Sequence, residues 1–199
     1  PFNMHAVMLD YEDLYKGTER FERWRQTRQG SEKHALTTEE KKVLDAFMLE
    51  RVSGNAPVEK AQGFFQETPA ERVLSFEKSK RNIFLFSNLF WDVGLNYDDT
   101  LYKDVLHWVL DTLKIVADRE DCHLYIKPHP AEAFGDAHSG YGICDMLQEE
   151  YAELPSNITI ISPELKLKTY DLFPYIDLGV VYNGTIGIEM LLSDIPVII

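Results

Sequence analysis

Apolar residues in the second half of the chain switch repeatedly between short continuous runs and helical spacing. Asn82-Ile83-Phe84-Leu85-Phe86 is a near-continuous apolar run, the pattern of a strand buried on both faces of a parallel sheet. Leu101, Val105, Trp108, Val109, Leu113 and Val116 then recur at helical spacing over 101–117. The same contrast predicts strands at 123–127, 158–161, 178–182 and 197–199, with helices at 144–151, 169–175 and 186–192. Alternation of this kind implies right-handed βαβ crossovers and an α/β fold, a parallel sheet flanked by helices.

The first 75 residues carry helical signals and few strand signals. Tyr11 to Arg28 is dense in charge and aromatics, and Thr37-Thr38-Glu39-Glu40 before Val43, Leu44, Phe47 and Met48 is a capping pattern followed by an apolar stripe. Gly54-Asn55-Ala56-Pro57 and Glu67-Thr68-Pro69-Ala70-Glu71 break the pattern. The expected organisation is a helical segment or linker over 1–75 and an α/β domain over 76–199. Pro1 in place of Met and the apolar run ending at Ile199 read as cut ends, so the chain is expected to be a fragment whose domain is truncated at its carboxyl side.

Composition narrows the class. The chain has 199 residues, 45% hydrophobic and 27% charged, the balance of a folded globular protein. A net charge of −13 argues against binding nucleic acid through its phosphates. No apolar run reaches the ~18 residues of a membrane helix, and the amino terminus lacks the plan of a signal peptide. The expected location is cytoplasmic. Cys122 and Cys144 have neither CxxC nor metal-ligand spacing and read as buried reduced thiols.

In open parallel sheets, ligands bind outside the carboxyl ends of the strands where strand order reverses. Two strand-end loops draw most attention. In Lys127-Pro128-His129-Pro130 the two prolines hold Lys127 and His129 in extended conformations on a rigid turn. An imidazole there suits a phosphate contact or an acid role, and equally a plain surface turn. In Asn183-Gly184-Thr185-Ile186-Gly187 a glycine at a strand-to-helix turn allows close approach of a ligand to backbone N–H groups. Thr185 is placed to cap the helix and donate to phosphate, although the stretch is neither GxGxxG nor a Walker A loop and equally suits a bland helix start. Glu189, four residues on, is a candidate ribose acceptor or a solvated helix glutamate.

The loop Ser87-Asn88-Leu89-Phe90-Trp91-Asp92 offers aromatics for stacking and Asn88 and Asp92 for substrate hydroxyls, or else a cap over the core. Asp98-Asp99 lacks the partners of a carboxylate metal site and reads as a helix start. His107 and His123 belong to no HExxH or Ser/His/Asp arrangement. Asn157-Ile158-Thr159 and Asn183-Gly184-Thr185 match a glycosylation acceptor by chance.

With these loops in place the chain resembles the glycosyltransferases of capsule and surface-polysaccharide biosynthesis, related to Kdo- and sialic-acid-transferring enzymes. The matching pieces are Phe86-Ser87-Asn88 with Trp91-Asp92, Trp108, Lys127-Pro128-His129-Pro130-Ala131-Glu132, Ile161-Ser162-Pro163-Glu164, and Gly184-Thr185-Ile186-Gly187-Ile188-Glu189 with Ile195-Pro196-Val197. They run from about residue 80 to the end of the chain. The resemblance implies a GT-B plan, with this chain holding most of the Rossmann-like carboxyl-terminal domain that binds the donor. It implies a nucleotide-sugar donor, CMP-linked being one option, and a glycan acceptor. It also implies no cofactor or metal, and peripheral association with a membrane assembly complex at the inner face.

By motif match, Lys127, His129, Asn183, Gly184, Thr185 and Glu189 would bind the donor, with His129 and Thr185 on phosphate and Glu189 on ribose. Ser87, Asn88, Trp91, Asp92 and Glu132 would form a substrate loop. The catalytic base is left to a missing domain. A sugar-nucleotide epimerase, a glycerophosphotransferase and a non-catalytic nucleotide-sugar-binding module are the alternatives.

Overall fold

A computed structural model of the chain describes residues 37–53, 68–89, 102, 104–133, 141–165 and 167–199. The expected helix over 11–28, the Asp98-Asp99 helix start, and Trp91 and Asp92 lie outside these residues. The chain divides into two compact units, residues 1–49 and 50–199.

Helix α1, Thr38–Val52, accounts for nearly all the described residues of the first unit. Its start is a reciprocal capping box. The Glu40 N–H donates to Thr37 Oγ1 at 3.2 Å while the Thr37 N–H donates to the Glu40 carboxylate at 2.7 Å. Val43 and Phe47 are exposed and no residue of α1 is buried, so the expected apolar stripe forms no core.

The second unit is a five-stranded, all-parallel sheet. Its strands are β1 Arg81–Phe86, β2 Cys122–Lys127, β3 Ile158–Ile160, β4 Leu178–Val181 and β5 Val197–Ile198, in the order β3-β2-β1-β4-β5. Helix α2, Val105–Ala117, links β1 to β2, and α3, Ile143–Glu150, links β2 to β3. Helix α4, Thr185–Leu192, links β4 to β5. The α/β class and the parallel sheet are therefore those the apolar pattern predicted.

Because successive strand side chains point to opposite faces, β1 feeds two cores. Ile83 and Leu85 join Leu124 and Ile126 beneath Trp108, Val109 and Leu113 of α2 and Ile143 and Leu147 of α3. Phe84 and Phe86 join Tyr125, Val181, Leu172 and Met190 on the other face. There Phe84 stacks on Tyr125 with ring centroids 4.7 Å apart.

Two expectations shift. Helix α2 starts at Val105 rather than at the expected Leu101, with Asp104, itself extended, as the N-cap whose carboxylate accepts the His107 N–H at 2.9 Å. The crossover from β3 to β4 is a 3-10 helix, Thr169–Tyr175, with Pro174 inside it. A proline lacks the N–H that an α-helical turn would need there.

Both cysteines are free, Cys122 buried and Cys144 half-buried rather than buried as expected. No helix among the described residues is long and apolar enough to cross a membrane.

Asn157 locks the amino end of β3 to its neighbours. Its buried carboxamide nitrogen donates to the carbonyls of Val116, Arg119 and Cys122 at 2.9, 3.0 and 3.4 Å. A side chain committed in this way is no sugar acceptor in the folded chain, as the sequence reading held. Replacing Asn157 by Ala removes these buried hydrogen bonds, so denaturant unfolding is expected to show a loss of about 1–3 kcal/mol.

Candidate functional site

Along the sheet, order reverses between β1 and β4. From β1 the chain moves outward to β2 and β3, then returns to lay β4 on the other side of β1. The carboxyl ends of β2, β1 and β4 form one row, with Lys127 paired to Phe86 and Phe86 to Val181. Strands lie ~4.8 Å apart, so the Lys127 and Val181 backbones are ~10 Å from each other. The sheet thus brings Ser87-Asn88, Lys127 to His129 and Asn183 to Thr185 to a single edge. An open cavity of about 610 Å³ lined by Lys80, Asp118, Arg119 and Ser156 sits at the opposite, amino end of the strands.

Lys127 ends β2 on the face of Tyr125 and is only 7% exposed. No carboxylate among the described residues pairs with its ammonium, and burial alone pulls its pKa from 10.5 down to about 8. Just past the end of β1, the Ser87 hydroxyl is buried with no hydrogen-bond partner among the described residues. The two loops are joined here, since the Ser87 N–H donates to the Lys127 carbonyl at 3.1 Å.

His129 caps the 3-10 turn Pro130–Glu132. Its Nδ1 accepts the Ala131 N–H at 3.1 Å, so in the neutral ring the proton resides on Nε2, which becomes a donor. The turn is therefore more than a proline-rigid corner, because the imidazole itself helps build it.

Glu132, in the same turn, is 5% exposed. One of its oxygens accepts the Ile143 N–H at the start of α3 at 2.9 Å, and the other is buried with no partner. Desolvation first, then the nearby Asp145 charge, raise its pKa to about 7 against the opposing Ile143 hydrogen bond. The contact is tight enough to require glycine next door: a Cβ at Gly142 would collide with the Glu132 carboxylate.

At the third loop, Gly184 has φ 142 and ψ 162, a conformation open to glycine alone among common residues. A Cβ at this position would meet nothing within 4 Å, so the requirement is one of backbone conformation rather than space. Gly184 occupies the N-cap position and Thr185 is the first helical residue, so Thr185 does not cap α4 as expected. The side chain that would have accepted an N–H lies one position too late. The N–H groups of Gly184, Thr185 and Ile186 consequently have no acceptor among the described residues, the arrangement in which helix starts bind anions.

Glu189, weighed above as a solvated glutamate, is instead 2% exposed. The Arg51 Nε donates to its Oε1 at 2.8 Å, with Nη2 also 2.8 Å away, and the Tyr170 hydroxyl donates to Oε2 at 3.0 Å. Burying a carboxylate at the second turn of α4 demands such partners. Sequence reasoning passed over Arg51 and Tyr170, which lie 138 and 19 residues away and carry no motif. Only the excess of one buried acid over nearby local partners could have signalled them. His107 is held by Asp104 at 2.7 Å in the first turn of α2, and His123 by Thr159 at 2.8 Å at the amino end of β2, so both have structural partners.

No family model matches the chain, and no curated protein matches it. Among solved structures it is similar to the β-Kdo 2,4 transferase of KpsC from Thermosulfurimonas dismutans, at 15% identity over 74% of this chain and 44% of that one, with a TM-score of 0.43. It is also similar to the β-Kdo 2,7 transferase of the same KpsC, at 18% identity over 78% of this chain and 45% of that one, TM-score 0.37. A third similarity is to the UDP-GlcNAc 2-epimerase of Neisseria meningitidis, at 14% identity over 76% of this chain and 33% of that one, TM-score 0.39. The chain spans less than half the length of each of these structures.

Two predictions follow from the charged groups. Removing Arg51 alone (Arg51→Met) leaves the buried Glu189 carboxylate without its counter-charge, with only the Tyr170 hydroxyl still donating to it, so urea unfolding should show a loss of about 3–5 kcal/mol, much of it restored by Arg51→Met with Glu189→Gln. For Glu132 the folded chain holds its proton more tightly than the unfolded chain, so its contribution to stability falls as pH rises from about 4.5 to about 7. Glu132→Gln should flatten that part of the melting-temperature profile between pH 5 and pH 8.

Proposed function

We propose that this chain is the donor-binding part of a nucleotide-sugar-dependent glycosyltransferase of capsule or surface-polysaccharide biosynthesis. The observation that carries the proposal is Lys127. A lysine buried at the end of a strand without a carboxylate partner lowers stability at neutral pH, and an anionic ligand beside it supplies the missing charge. It is supported by the uncapped N–H groups at the start of α4 and by the imidazole of His129 on the turn after β2, both at the same sheet edge.

In the proposed reaction the anomeric carbon–oxygen bond to the nucleotide phosphate breaks, and negative charge develops on that phosphate. Lys127, His129 and the Gly184–Ile186 amides offset it, with the Thr185 hydroxyl as a further donor, an electrostatic role that costs no reorganisation if the groups are already in place. For a CMP-linked donor the transfer inverts the anomeric carbon. The catalytic base and the glycan acceptor site belong to a second domain, and the enzyme works from the cytoplasmic side of the membrane. Glu189 anchors α4 through Arg51 and Tyr170 and reaches a ribose only by sharing an oxygen with them.

Calorimetric titration with CMP, CDP and UDP tests this. At least one nucleotide is expected to bind, and Lys127→Met to weaken it by tenfold or more, about 1.4 kcal/mol. Failure of all three to bind the folded chain would sink the proposal. The same Lys127→Met variant, relieved of a buried charge, should be more stable than the parent by about 1–3 kcal/mol at pH 7. Because the folded-state pKa is depressed, the parent's deficit should shrink as pH rises from about 8 towards 10.5.

A further inference from the structure

The hydrogen-bond ladder between β1 and β4 ends at Phe86 and Val181. Beyond that pair the two chains part. The chain after β1 leads to α2 on one face of the sheet, whereas the chain after β4 leads directly into α4 on the other. This is the reversal point of the sheet, where backbone from neither strand is available to satisfy the other.

Asn88 fills the gap with its side chain. Its Nδ2 donates to the Asn183 carbonyl at 2.6 Å, and its Oδ1 accepts the Asn183 N–H at 3.3 Å. A carboxamide carries one donor edge and one acceptor edge, as a peptide group does, so it forms a two-point rung in place of the missing strand. Turning the amide over would set donor against donor and acceptor against acceptor, so the pairing fixes its orientation.

Two consequences bear on the proposed anion site, on whose reading this inference rests. The Asn183 N–H is consumed by Asn88, so the first donors left for a ligand are those of Gly184, Thr185 and Ile186. Moreover, the Lys127 carbonyl holds the Ser87 N–H, and the next residue, Asn88, holds the Asn183 backbone. One continuous hydrogen-bonded path thus runs from the Lys127–His129 loop across β1 to the Gly184 turn.

We propose that Asn88 is a positioning residue that sets the separation and orientation of the two anion-binding loops across the reversal point, rather than a group that touches substrate. Its carboxamide is already committed to the protein on both edges. Gly184, next to Asn183 at φ 142, carries no side chain that could tie the turn to its neighbours, and the tie is made one residue earlier, at the Asn183 backbone.

The test compares the whole chain with Asn88→Ala and with Asn88→Asp, which keeps the shape but replaces the donor by a second acceptor facing the Asn183 carbonyl. CMP, CDP and UDP affinities are measured by calorimetry, folding by thermal melting, and amide exchange at Asn183 by NMR without ligand. Both variants are expected to lose affinity about tenfold or more at a melting temperature close to that of the parent, with faster exchange at Asn183. Parent-like affinity in both folded variants, or unchanged exchange at Asn183, overturns the inference and leaves the anion site standing. A parent chain that binds none of the three nucleotides overturns the site reading and this inference together. Should Asn88→Ala unfold, Asn88→Asp carries the comparison.

Discussion

Everything in the second unit depends on β1 being buried from both faces and paired on both edges. Asn82 to Phe86 are all buried, with β2 on one side and β4 on the other. A strand in that position must supply apolar side chains to two cores at once, and the run Ile83-Phe84-Leu85-Phe86 does so. Its central place also means that whatever leaves its carboxyl end does so between two diverging chains. The reversal of strand order, and with it the edge where polar loops gather, follows from β1 lying at the centre.

At that edge the structure buries several polar groups without full partners, as it also does with the Asn82 Oδ1 at the amino end of β1. Among the described residues Lys127 has no counter-charge, the Ser87 hydroxyl is unpartnered, and Glu132 has one oxygen satisfied and one not. Each arrangement lowers stability, since buried polar groups pay their desolvation in full when unpaired. These groups contrast with the Asn157 Nδ2 and the Glu189 carboxylate, which protein partners take up. The same physics explains why Glu189 needs Arg51 and Tyr170.

The loops were legible in part. Proline flanks announced a rigid turn at His129, and a glycine announced a strand-to-helix turn at Gly184, because both residues act on their own backbone. Which nitrogen of His129 accepts within the turn was not legible, since it depends on the Ala131 N–H in a 3-10 turn that no periodicity signals. Thr185 illustrates the opposite error: residue type suggested a cap, but the helix begins one residue earlier than its side chain could serve. Asn88 was assigned to substrate hydroxyls on chemistry alone, and its 95-residue reach to Asn183 exists only once β1 and β4 are neighbours.

The sequence by itself determined the α/β class, the identity of the strands and the loops that follow them, because period and apolar runs are local properties. It also determined that the central strands are buried on both faces. Strand order, the row Lys127–Phe86–Val181, the isolation of the Lys127 ammonium and the Arg51–Glu189 pair were decided only by tertiary structure. These depend on which distant segments meet, and burial and pairing are properties of that meeting rather than of any residue in its own stretch of chain.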